Sequence, residues 1–151
     1  MEDGENGSRK PPNRSRRKVW LKIPQQAFQP EDLLDFIELP VFTKRWAALG
    51  LNDDEDLSAL QLVIIAGPKI AKPIKGTRGI RKLRFAPKRW KSGKSGAARV
   101  LYVYFEEYGL VVLCVVYGKN EVATISDAVK RYLNKLVREM EDELLVRYAD
   151  K

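Results

Sequence analysis

Lysine and arginine are the reactive groups this chain concentrates. Between Asp56 and Glu106 there is no acidic residue, and twelve basic ones fill the gap: Lys69, Lys72, Lys75, Arg78, Arg81, Lys82, Arg84, Lys88, Arg89, Lys91, Lys94 and Arg99. A run of like charge this long repels itself unless an anion neutralises it, and phosphate is the anion such a surface suits. Lys82 and Arg84 are two positions apart, so a strand sets them side by side on one face, roughly 7 Å apart. Arg99 opens a second β-branched and aromatic segment, and Lys119 follows a third. Convergence of these four cations implies a polyanion between them. Lys75, Arg78, Arg81, Lys88 and Lys94 extend the basic surface, while Tyr102, Tyr104 and Tyr117 offer rings for stacking bases. The plainer alternative is a solvated loop over 86–98 and ordinary strand packing for the tyrosines.

RNA cleavage without a metal needs a group to take the 2′-OH proton, a group to steady the phosphorane, and help for the departing 5′-oxygen. The 28 Lys+Arg, 20 Asp+Glu and absence of histidine give a formal net charge of +8. No histidine and one cysteine remove the usual zinc sites, the Ser-His-Asp and Cys-His routes, and histidine-based nucleases. Lysine and arginine can still stabilise charge, and a lysine crowded by cations can act as a base. A histidine-free basic sheet is therefore either a nuclease that leans on its substrate's positioning or a binder. No cofactor is expected.

Two further patterns fail on inspection. Gly93-Lys94-Ser95 resembles the end of a P-loop, but position 88 is lysine where glycine is required. Glu106-Glu107 and Glu139/Glu143 read as turn and helix-surface acids rather than ligands inside a cleft. Cys114, within an apolar run, reads as a core residue.

The elements that must position the cations follow from periodicity. Residues 1–18 are rich in Gly, Pro, Ser, Asn and charge and read as disordered, and 24–35 read as a linker, so 1–35 form a basic tail ahead of a domain at 36–151. No run reaches the about 18 apolar residues of a membrane span. Phe36–Val41 predicts a strand and Phe42–Leu49 a short helix. Asn52-Asp53-Asp54-Glu55 caps a second helix carrying Leu57, Leu60 and Ile64, which Gly67-Pro68 ends. Ile80–Ala86, Ala98–Glu106 and Leu110–Tyr117 predict three antiparallel strands, the last two joined at Glu107–Gly109. Ser126–Tyr148 predicts a long helix with Val129, Leu133, Leu136, Met140 and Leu144 as its apolar stripe. The class is α+β, a small antiparallel twisted sheet with helices packed on one face and the alternate polar residues open on the other.

Three ordered segments carry a family resemblance: 74–86 (IKGTRGIRKLRFA), 93–102 (GKSGAARVLY) and 117–121 (YGKNE), with 36–43 (FIELPVFT) ahead of them. Together they resemble RelE/HigB-type toxins over about residues 36–147. The resemblance implies a microbial-RNase-like fold and a cytoplasmic type II toxin of a toxin–antitoxin system. Such a toxin is a metal-independent endoribonuclease that enters the ribosomal A site, cuts mRNA there and inhibits translation. It implies that Lys82 and Arg84 hold the scissile phosphate, that Arg99 steadies the phosphorane, and that Lys119 is the basic residue after the last strand. The implied partners are a cognate antitoxin of helix-turn-helix type, the ribosome and mRNA, with operator DNA reached only through the antitoxin. The alternatives are a ParE-like gyrase inhibitor on the same fold, a non-catalytic nucleic-acid-binding module or a decayed toxin. A 35-residue leader is unusual for toxins this compact, and an upstream start is one reading of it.

Overall fold

The computed structural model describes residues 33–90, 96–121 and 126–149, and the backbone of 16–18. The chain is mixed α+β. Strand β2 (Asp35–Glu38) leads into helices α1 (Pro40–Ala48) and α2 (Glu55–Ala66); strands β3 (Arg81–Phe85), β4 (Ala98–Phe105) and β5 (Leu110–Tyr117) follow, then helix α3 (Asp127–Arg147). The sheet order is β2-β5-β4-β3; β2 runs parallel to β5 and the other pairs are antiparallel, so the sheet is mixed rather than antiparallel throughout as expected. The tail was expected to be disordered, but Arg16–Lys18 form a strand, β1, antiparallel on the outer edge of β2. Residues 1–15 and 19–32 lie outside the described residues.

Helices cover both faces of the sheet, which corrects the expectation of one covered and one open face. On one side α1 and α2 bury Phe42, Trp46, Leu57, Leu60 and Ile64 against Val100, Tyr102, Val111 and Leu113. On the other side α3 buries Leu133, Val137 and Leu144 against Leu101, Val103, Val112 and Cys114. The physical reason is visible in β5: LVVLCVVY lacks alternation because a central strand under two helical layers is apolar on both faces. Each fully buried large apolar side chain contributes about 1.5–3 kcal/mol. Cys114, buried among these residues, has its thiol pushed up to about 12 by desolvation. It is the extra residue at the bulge where Leu101 pairs Val115 and Tyr102 pairs Leu113.

Local chemistry explains the element ends. The first strand stops at Glu38 rather than Val41, because Pro40 at the first helical position fixes φ for a helix and starts α1 two residues early. Asn52 Oδ1 accepts the N–H of Glu55 and of Asp56, as its type predicts. The reciprocal bond comes from Asp56, whose Oδ2 accepts the Asn52 N–H at 2.8 Å, rather than from Glu55. Gly109 closes the β4–β5 turn with φ +57°, which an L side chain rarely adopts. Ser126 caps α3 by accepting the Val129 N–H. The buried stripe of α3 is Leu133, Val137 and Leu144; Val129 is 44% exposed, and Leu136 and Met140 are half-buried. Among the described residues no helix is long and apolar enough to cross a membrane.

Candidate functional site

Strand register gathers three of the four central cations. Arg84 stands directly opposite Arg99, and Arg99 directly opposite Tyr117, so the three form one row across β3, β4 and β5. Directly opposed residues share a face, with Cβ atoms about 4.5–5.5 Å apart. Lys82 lies two residues along β3 on that same face, opposite Leu101. This is the face on which α3 packs. The helix covers Leu101, Val103 and Val112, while Lys82 and Arg84 on edge strand β3 stay exposed and Arg99 is half-buried.

The row is electrostatically unbalanced. Two guanidinium groups directly opposed across a ladder repel. Among the described residues no carboxylate lies within ion-pair distance of Lys82, Arg84 or Arg99. One Arg99 N–H is donated to the Ala97 carbonyl, which holds the side chain near the loop between β3 and β4. Tyr117 is buried beside it; burial pushes the phenol up and the Arg99 charge offsets part of that rise. Two planar forks and an ammonium on one face suit the oxygens of a phosphodiester.

Elsewhere the acid-free block finds its counter-charges from distant segments, which sequence alone leaves unseen. Lys69 meets Glu106 at 2.7 Å, Arg78 meets Glu141 of α3 at 2.8 Å, and Arg89 meets Asp56 at 2.5 Å. Arg89 also donates to the Gly50 carbonyl at 2.8 Å, tying the segment after β3 to the start of α2. Burial by itself would raise the Asp56 carboxyl. Hydrogen bonds from Arg89 and the Asn52 N–H, with the Arg89 charge, outweigh it and hold the group below its ordinary range.

The remaining expected site residues disperse. Lys119 is exposed in the turn after β5, two residues past Tyr117. That turn is pinned by Glu121, whose carboxylate accepts the Gly118 N–H and the Arg45 guanidinium. The backbone bond first and the Arg45 contact second hold the Glu121 carboxyl low. Lys75 faces the first half of α3. Arg78 is engaged by Glu141, and Arg81 donates to the carbonyls of Lys69 and Ala71, so it braces a loop. Lys88 is exposed after β3, and Lys94 lies outside the described residues.

Tyr102 and Tyr104 need correction as base-stacking residues beside the cations. Both lie on the α1/α2 face, opposite the row. Tyr102 is fully buried, with its hydroxyl donating to Pro68 O at 2.8 Å, and burial pushes its pKa up. Tyr104 packs half-buried against the same core. Alternation forces this: Arg99 and Leu101 face α3, and the bulge after Leu101 is taken up by β5, so Tyr102 and Tyr104 face away.

One group escaped the sequence reading. Lys130, Arg131, Lys135 and Arg138 lie in the first half of α3, around two concavities that also take in Lys75. Their near-i,i+4 spacing is the signal in the sequence, and it shares the helix with the apolar stripe. No protein-family model matches this chain.

Proposed function

We propose that this chain is the toxin of a type II toxin–antitoxin system, a metal-independent endoribonuclease that cuts mRNA in the ribosomal A site. The observation that carries the reading is the Arg84–Arg99–Tyr117 row with Lys82 beside it, four polar groups on one partly open sheet face. The order of elements and the three sequence segments that resemble RelE/HigB-type toxins support it.

The chemistry follows from the groups present. The 2′-OH gives up its proton as its oxygen bonds to phosphorus, the bond to the 5′-oxygen breaks, and that oxygen takes up a proton, so a 2′,3′-cyclic phosphate and a 5′-hydroxyl result. Arg84 and Lys82 hold the non-bridging oxygens of the scissile phosphate. Arg99 meets the extra negative charge of the phosphorane, where a fixed donor is most valuable. The ribosome supplies the alignment of the 2′-oxygen with the departing oxygen, a large entropic share of such a barrier. The antitoxin, of helix-turn-helix type, silences the protein by covering the basic sheet face or by displacing α3. Action on ribosomes places the toxin in the cytoplasm.

The test is to map mRNA 5′ ends after brief induction. Wild type should arrest growth and leave cuts phased to codons, and Arg84→Ala/Arg99→Ala should do neither. Full toxicity in that double variant overturns the site. DNA damage without mRNA cleavage selects the gyrase-inhibitor reading, and RNA binding without cleavage on programmed ribosomes selects a non-catalytic module.

A further inference from the structure

The sheet row leaves a second group of cations unexplained. Lys130, Arg131, Lys135 and Arg138 occupy the first half of α3, and the acids Glu139, Glu141, Asp142 and Glu143 follow them. The acids are partly used: Glu141 pairs with Arg78, and Glu143 with Arg147. Among the described residues no carboxylate lies within ion-pair distance of the four cations.

The surface they form is shallow and largely open to solvent. Two hollows of about 310 and 250 Å³ share Arg131 and Asn134, so they adjoin. Asn134 fixes the geometry by donating to the Gly76 carbonyl at 2.8 Å, which brings the turn carrying Lys75 against the helix. The Lys130 side chain lies over Gly76; a Cβ there would meet its Cδ at 3.4 Å. Five cations and one carboxylate, Asp127, therefore line the two hollows, with no apolar or aromatic side chain.

That lining selects the ligand. An acidic peptide needs apolar anchors to hold it, and single-stranded RNA needs rings to stack on; Val129 and Tyr132 are exposed on this half of α3 but do not line the hollows. A regular polyanion is different. At 1.5 Å per residue, Arg131, Lys135 and Arg138 rise about 6 and then about 4.5 Å along the axis, the scale of neighbouring backbone phosphates. We infer that this half of α3, with Lys75, docks the phosphate backbone of base-paired RNA. The phosphate site uses no residue of the sheet row; only the choice of RNA over DNA rests on the proposed function.

The experiment uses the full chain and a labelled RNA hairpin of about 16 base pairs, with a DNA hairpin of the same sequence. Arg131→Gln/Lys135→Gln/Arg138→Gln should weaken RNA binding at least about 10-fold near 100 mM salt and reduce the salt slope by about 2–3. The charge-keeping variant Arg131→Lys/Lys135→Arg/Arg138→Lys should restore binding, which separates lost charge from lost folding. Arg84→Gln/Arg99→Gln should weaken hairpin binding less than the triple glutamine variant does, whether or not it cuts. An unchanged affinity and slope in the triple glutamine variant overturns the site. Tighter binding of the DNA hairpin overturns the choice of RNA. Continued toxicity of the sheet variant, with hairpin binding intact, overturns the toxin site and leaves this one standing.

Discussion

Arg99 is the residue on which the proposed chemistry turns, because it links the exposed edge strand to the buried centre of the sheet. It has Arg84 on one side and Tyr117 on the other. Its planar fork can grip two phosphate oxygens at once, and a lysine in the same place is a point charge. Arg99→Lys is therefore expected to cut slowly, by about 10²–10³-fold, the loss typical of one fixed donor. Single-turnover cleavage on programmed ribosomes measures this, and near-wild-type cleavage would deny the fork its role. Residue types were the most legible layer of the site. Lys82, Arg84 and Arg99 were singled out by charge and spacing, and register put them on one face. Tyr102 was misread because a tyrosine in a strand looks the same whether it faces solvent or the core.

At the scale of elements, two anchors carry most of the argument. Asp56 closes the cap of α2 and receives Arg89 from the segment after β3. Its folded pKa is depressed, so its contribution is complete above the unfolded value of about 3.9 and is lost as pH falls through the folded pKa. Wild type should lose stability on acidification below about pH 4 more steeply than Asp56→Ala. That variant should also start about 1–3 kcal/mol less stable at neutral pH. Thermal unfolding across pH checks both, and parallel pH profiles would contradict the assignment. The second anchor is the stripe of α3. Leu133→Ala should cost about 2–5 kcal/mol, whereas Val129→Ala, at an exposed position, should stay within about 0.5 kcal/mol. Equal losses in denaturant unfolding would restore the stripe expected from periodicity. Spacing alone offered both Val129 and Leu133, and only the packing of α3 on the sheet decided where burial begins.

For the whole molecule, the three-layer arrangement decides what stays accessible. Both faces of β4 and β5 are buried, so the proposed site is confined to edge strand β3 and the ends of its neighbours. The other edge carries β1 on β2. Removing residues 1–18 should leave a cooperatively folding domain, with Tm lowered by less than about 8 °C, the shift that about 1 kcal/mol brings in a domain of this class. The exposed edge of β2 should then promote concentration-dependent association. Calorimetry and light scattering test these outcomes, and failure of the shortened chain to fold would make β1 part of the core.

The sequence by itself determined the order of the elements from β2 onward, most of their ends and the acid-free basic block. Those depend on local chemistry: apolar period, capping residues, proline and glycine. Tertiary structure decided which face each helix covers, and so that Lys82, Arg84 and Arg99 share a sheet face that α3 partly covers rather than an open sheet. It also decided which cations are already spent. Glu106, Glu141 and Asp56 come from segments distant in sequence to neutralise Lys69, Arg78 and Arg89. Charge counted along a chain is one-dimensional, whereas Coulomb energy depends on distance through space. Among the described residues the block thus reduces to a smaller set of cations outside ion pairs, and the first half of α3 adds others.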